Sequence, residues 1–253
     1  MIINIAIGMK KLKKINFHQR DDRIIFDESN HSYTIDDSKE AKSVTQLIGE
    51  YFPKFDREYW AGNESRKTGE KVADILKRWE DLGSKARNEG TNLHNQIENF
   101  YNEIEYKNSP EFEKFMKFHE RYIINKYEPY RTEWRVFDDS KLLAGTIDMV
   151  YKKSDNGVFL FDWKRSKKII DDGGNIEKDN PFENCLKGLS HMSSTDYNKY
   201  CLQQNIYKYI LEKNYKLNVS SMNLLILHPF YDSYHIIKVE ELPLETKYLI
   251  DSI

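Results

Sequence analysis

The sequence predicts an α/β fold in which a mixed central sheet is flanked by helices and preceded by an N-terminal helical half. Three observations point there. The 253 residues suffice for one large domain. Before Pro129 the apolar residues recur mainly at helical spacing, and after it they fall in short apolar-aromatic runs. The resulting order of helices, three strands, a helix and two strands buries its apolar faces when the helices cover a mixed sheet.

Element by element, residues 1–22 read as a basic N-terminal segment, and residues 23–253 as a single domain. Met1 to Gly8 is short and apolar, with Lys10, Lys11, Lys13 and Lys14 after it. That order is wrong for a secretory signal. The lysines read as a solvated face first and as a phosphate contact second. Residues 23–35 predict a hairpin around Asp27 to Asn30. Ser43 precedes Val44, Leu47 and Ile48 as an N-cap precedes a helix. Residues 71–106 carry helical periodicity, with breaks expected near Gly83 and Gly90. Pro110 opens another helix, whose buried face carries Phe112, Phe115, Met116, Tyr122 and Ile123. The helical half thus runs from about 40 to 128 and the sheet core from about 129 to 240. Strands are expected at 131–137, 142–151 and 157–163, with a turn from Ser154 to Gly157. A polar, irregular stretch covers 165–195, a helix runs from Asp196 to Lys213, and strands near 220–228 and 233–240 close the core.

Composition narrows the classes of function. Hydrophobic residues make up 39% and charged residues 32%, with 17 Tyr and 13 Phe, which fits a packed core and not a disordered tail. Lys and Arg number 39 against 41 Asp and Glu, a net charge of -2, so no global basic excess announces a nucleic-acid binder. Cys185 and Cys201 form no CxxC pair, which leaves a disulfide framework and a zinc finger unsupported. Nothing reaches the length of a transmembrane helix, no membrane partner is implied, and the chain reads as intracellular.

The third strand ends Phe161-Asp162-Trp163-Lys164. Side chains alternate along a strand, so Asp162 and Lys164 share a face and Trp163 points away. Asp148 stands in the apolar run Leu142–Val150, where a charge is costly unless paired or bound to a metal. Neighbouring strands can bring the two carboxylates to one hard cation. Each residue alone is more often a surface ion pair or a strand end. On the 90–98 segment His94 and Glu98 lie one helical turn apart, beside the apolar stripe of Leu93, Ile97 and Phe100. Gln203 and Tyr207 are likewise one turn apart, where ordinary helix surface and a core aromatic are the plain reading.

Together, GT-x-x-H-x-x-x-E from Gly90, GTID from Gly145, D-W-K from Asp162 and Q-x-x-x-Y from Gln203 resemble the RecB-type branch of the PD-(D/E)XK nucleases. Single-domain exonucleases similar to the mitochondrial genome maintenance exonuclease and its phage and viral relatives are the nearest in pattern. HSYTID, SVTQLI and YFPKFD near the N-terminus resemble the same group, and the likeness spans roughly residues 30–240. It implies a restriction-endonuclease-like core. It also implies Mg²⁺ or Mn²⁺ held by His94, Asp148, Asp162 and the Trp163 carbonyl, with Lys164 acting on water and phosphate. Glu98 would support the site or serve as an outer ligand, and Gln203, Tyr207 and Arg165 would contact DNA or brace the site. Ile147 stands where the family motif often has Pro, and Arg165 where relatives often carry a small hydroxyl residue. Relatives with an iron–sulfur cluster need four cysteines, so none is expected here.

The expected activity is a metal-dependent DNA exonuclease acting on single strands or free ends. Alternatives are a structure-specific endonuclease with the same site and an inactive DNA-binding relative. Tyr51, Phe52, Phe55, Tyr59 and Trp60 are candidates for stacking on bases, with burial in the core the commoner fate. Oligomeric state is left open by the sequence.

Overall fold

A computed structural model describes residues 10–153 and 157–253. Eight strands form one mixed sheet with helices packed on both faces, the α/β architecture expected from the sequence.

The chain enters through α1 (Lys11–Ile15) and a 3-10 turn over Gln19–Arg23. These residues are packed against the sheet: Leu12 is buried, and buried Asp21 accepts hydrogen bonds from Arg131 at 2.7 Å and from the Trp134 indole at 2.9 Å. The apolar Met1–Gly8 stretch lies outside the described residues.

Strands β1 (Ile24–Asp27) and β2 (Ser32–Ile35) make the expected hairpin. Strand β3 (Lys39–Ser43) then pairs with β2; its sequence, with one apolar residue in five, carried no strand pattern. Ser43 ends β3 and caps α2 (Val44–Gly49). Its hydroxyl accepts the Gln46 N–H while the Gln46 side chain accepts the Ser43 N–H, a reciprocal capping box.

Helix α3 (Arg57–Thr68) ends at Gly69, whose φ of 75° suits glycine. Helix α4 (Val72–Tyr101) then runs 30 residues without interruption. The breaks expected near Gly83 and Gly90 are absent: the helix runs through both, its C-terminal half anchored by buried Leu93 and Ile97, with exposed Arg87–Glu80 and Lys85–Glu89 pairs along the same stretch. Helix α5 (Pro110–Phe118), capped by Ser109, passes into a π turn over His119–Ile123.

Strands β4 (Glu128–Asp138), β5 (Leu143–Lys152) and β6 (Gly157–Lys164) follow as an antiparallel series. Residues 154–156 of the expected turn lie outside the described residues. The 165–195 stretch is irregular and anchored by buried Ile169, Ile170, Cys185 and Leu189. Then come α6 (Asp196–Asn214), β7 (Asn218–Ile226), β8 (His235–Lys238) and α7 (Pro243–Asp251), the last of these not expected.

One feature of the sheet positions the site. Along one edge β5 pairs with β4 from end to end. Along the other edge Leu143 and Ala144 pair with β3 in parallel, while Met149 to Lys152 pair with β6. On that edge, among the described residues, the intervening stretch Gly145–Asp148 has no strand beside it, so the sheet splits there. The core lies on either side. Val44, Ile206 and Leu224 belong to the part beneath α2 and α6, and Leu93, Phe115 and Trp163 to the part beneath α4 and α5. Among the described residues no helix is long and apolar enough to cross a membrane.

Candidate active site

Helix α4 delivers His94 to the split. Its neighbours Leu93 and Ile97 are buried with Met149 and Trp163, which fixes the rotation of the helix over β5 and β6. The His94 ring meets the Trp163 carbonyl through Nε2 at 3.1 Å. Its Nδ1 lies 3.3 Å from Glu133 Oε1 and 3.6 Å from Asp148 Oδ2. Ligand atoms of His94, Glu133 and Asp148 all fall within 4.8 Å of one another.

Glu133 was not anticipated. In the register Thr132 pairs with Met149 and Trp134 with Ile147, which sets Glu133 opposite Asp148 on the adjacent strand. Its backbone takes φ 43°, left-handed for a residue with a side chain and rare within a strand. The only sequence signal was an acidic residue in an alternating strand, where a solvated carboxylate is the ordinary reading.

Asp148 Oδ2 also accepts the Trp163 N–H at 2.8 Å, so its side chain takes the place of the missing ladder bond at the split. Burial pushes its pKa up, against the opposing pull of His94. For His94 itself burial lowers the pKa, but Asp148 and Glu133 outweigh it and raise it to about 9. In this form a protonated imidazole compensates two carboxylates that would otherwise repel.

On β6, Asp162 and Lys164 share a face as alternation requires. Asp162 Oδ2 sits 2.6 Å from Lys164 Nζ, yet this buried oxygen has no aligned hydrogen-bond donor. Burial pushes Asp162 up to about 6, with Lys164 opposing and Asp148 reinforcing the rise. Lys164 Nζ is also 4.1 Å from the centre of the Tyr200 ring on α6. Burial disfavours the ammonium, but Asp162, Tyr200 and Asp148 outweigh it and hold the lysine well above its ordinary pKa. In this pair the side chain is a cation.

The donor set suits a hard divalent cation: two carboxylates and an imidazole converge, and the Asp162 carboxylate, paired with Lys164, stands on the next strand as a further oxygen donor. Relative to the expected ligands, His94 and Asp148 are together, Glu133 joins them, and Asp162 is turned to Lys164. The Trp163 carbonyl, also among the expected ligands, accepts from His94 Nε2 in the structure. That contact orients the ring and leaves Nδ1 toward the carboxylates.

Other expected positions fall elsewhere. Glu98 is buried one turn along α4 and pairs with Lys10 at 2.5 Å, outside the His94 cluster. Arg165 is spoken for by Glu111 at 2.6 Å and Glu89 at 2.8 Å. Tyr207, expected to contact DNA or brace the site, is 2% exposed, so a surface contact with DNA is ruled out for it. Its ring lies where a Cβ on Gly145 would come within 2.7 Å, so it braces β5 at the split, and its hydroxyl accepts from Gln203 at 3.1 Å. Of the aromatic group, Tyr51 is in the core, while Phe55, Tyr59 and Trp60 are exposed at 64%, 58% and 50%. For these three the burial expected as the commoner fate does not occur. Phe55 and Trp60 line a cavity of about 320 Å³ with Trp79 of α4 and Lys67.

No protein-family model matches the chain, and no curated protein matches it. A solved structure described as the crystal structure of SSO0001 is similar at 14% identity over 83% of this chain and 71% of that one, with a TM-score of 0.33. A likeness of that degree carries no weight for function.

Proposed function

We propose that this chain is a metal-dependent nuclease of the PD-(D/E)XK type, hydrolysing phosphodiester bonds in DNA from free ends or in single strands. One observation carries the reading: at a split in the sheet, His94, Glu133 and Asp148 converge beside the same-face pair Asp162 and Lys164. A cluster of three carboxylates, one imidazole and one ammonium, in which Asp148 and Asp162 are buried and the others half-buried, serves the core poorly, because charge withdrawn from water is expensive. It serves phosphate chemistry well.

A Mg²⁺ or Mn²⁺ ion held by Asp148, Glu133 and His94, with Asp162 at hand, would lower the pKa of water and offset negative charge on the reacting oxygens. Imidazole in the set favours Mn²⁺ over Mg²⁺. Lys164, kept cationic by Asp162, donates to a phosphate oxygen as charge builds in the transition state. The Trp163 carbonyl holds the His94 ring in one orientation. Tyr200 covers the Lys164 ammonium and restricts its reach. Preference for single strands is supported by Phe55, Trp60 and Trp79, whose accessible rings suit base stacking.

The test is a digest of end-labelled linear single-stranded DNA and matched closed circles with Mg²⁺ or Mn²⁺. The expected result is loss of linear DNA alone, abolished by EDTA and reduced on the order of 10²-fold or more by Lys164→Ala. Rapid cutting of circles would replace the exonuclease reading with an endonuclease. Binding without cutting of either substrate would leave a DNA-binding protein.

A further inference from the structure

Immediately beyond the candidate site lies an exposed aromatic on a tightly held loop. Strand β7 runs beside β6, and the Leu227 N–H donates to the Lys164 carbonyl at 2.9 Å. Three residues later Phe230 is 52% exposed, its ring facing the Lys167 ammonium at 4.7 Å. The loop that carries it is fixed on several sides. Lys114 of α5 donates to the carbonyls of His228, at 3.0 Å, and of Tyr231. The Tyr231 hydroxyl donates to the Ile170 carbonyl at 2.9 Å. The Phe230 N–H donates to His228 Nδ1 at 3.1 Å. Burial, with Arg165 and Lys167 nearby, keeps the His228 pKa below its ordinary value, so that nitrogen is available as an acceptor.

These bonds fix the backbone that carries the ring, and the ring itself, packed edge-on against Tyr231, still leaves about half of the residue exposed to solvent. Rigidity of this kind reduces the cost of binding a flat partner. The cation beside it is distinctive too. Lys164 and Arg165 are paired with carboxylates, whereas among the described residues Lys167 has no carboxylate within 4 Å.

We propose that Phe230 and Lys167 form a nucleotide-holding platform beside the candidate site: the ring stacks on one base of the substrate strand and the ammonium pairs with an adjoining phosphate. This rests on the nuclease reading and specifies where the strand leaves or enters the site. Stacking is indifferent to base identity, so the platform suits a single strand of any sequence.

The test measures binding of a fluorescent single-stranded DNA oligonucleotide to the full chain in EDTA, with an abasic position moved one nucleotide at a time. Phe230→Ala is expected to weaken binding on the order of tenfold, and Phe230→Trp to retain it. One abasic position is expected to reproduce the loss in the wild type and to cost Phe230→Ala nothing further. Lys167→Ala should flatten the salt dependence of binding by about 0.7 in log–log slope, one phosphate contact on a single strand. Equal binding by Phe230→Ala and wild type, or an abasic penalty that persists in Phe230→Ala, would overturn the platform while leaving a cutting enzyme intact. A wild-type chain that neither binds nor cuts the oligonucleotide would overturn the nuclease reading and the platform together.

Discussion

Glu133 holds its carboxylate opposite Asp148 on a backbone turned to φ 43°. Such a conformation costs on the order of 1–3 kcal/mol and persists only where the surroundings enforce it. Glu133→Gln keeps the shape and removes the charge, so Mn²⁺ affinity measured by calorimetry should fall tenfold or more. Glu98→Gln, whose carboxylate faces Lys10, should leave that affinity unchanged. The contrast marks what one sequence can reveal about single residues. His94, Asp148, Asp162 and Lys164 were picked out as a set by the resemblance of their motifs to a nuclease family, while strand alternation by itself showed only that Asp162 and Lys164 share a face. Glu133 was not, since its pairing with Asp148 depends on the register of two strands. Nor was the Lys10 partner of Glu98, which is 88 positions away in the chain and meets it only through tertiary packing.

At the scale of elements, α4 shows how local signals mislead. Gly83 and Gly90 are poor helix formers, yet the helix continues through both, since packing of the buried Leu93–Ile97 stripe outweighs their entropy cost. A methyl group on Gly90 would meet nothing within 4 Å. Gly90→Ala should therefore stabilise the fold by about 0.5–1 kcal/mol, seen as a higher Tm by circular dichroism. An unchanged or lower Tm would mean that this helical turn needs glycine for another reason. The longer elements, from β4 to β7, were readable within a few residues because their apolar runs are continuous. Strand β3 was missed because tertiary pairing, not composition, makes it regular, bonded as it is to both β2 and β5; α1 is a single short turn in a lysine-rich stretch.

Across the whole molecule, Asp138 ties the end of β4 to α6. Fully buried, it accepts from Lys213 at 2.8 Å, from the Tyr209 hydroxyl at 3.2 Å and from Ser140. Burial alone would raise its pKa, but Lys213 and Ser140 outweigh it and hold the carboxyl below the usual range. A depressed carboxylate stabilises the fold above its unfolded pKa of about 3.9, and that contribution is lost as pH falls through the lower folded value. Asp138→Asn should lower stability at neutral pH by about 1–3 kcal/mol. The gap from wild type should narrow as chemical-denaturation curves are taken below about pH 4. A gap that stays constant with pH would show that packing, not charge, is what Asp138 supplies.

The division of β5 between two neighbours has a consequence for the order in which the protein comes into being. Strand β3 waits about a hundred residues for β5, and β6 is flanked on its far side by β7, made more than fifty residues later. A chain emerging from the ribosome therefore carries His94, Glu133, Asp148 and Lys164 well before the sheet that converges them is closed. A chain halted before β7 carries the candidate site residues on a β6 that still lacks its outer neighbour, so the candidate site gains its full sheet support only late in synthesis.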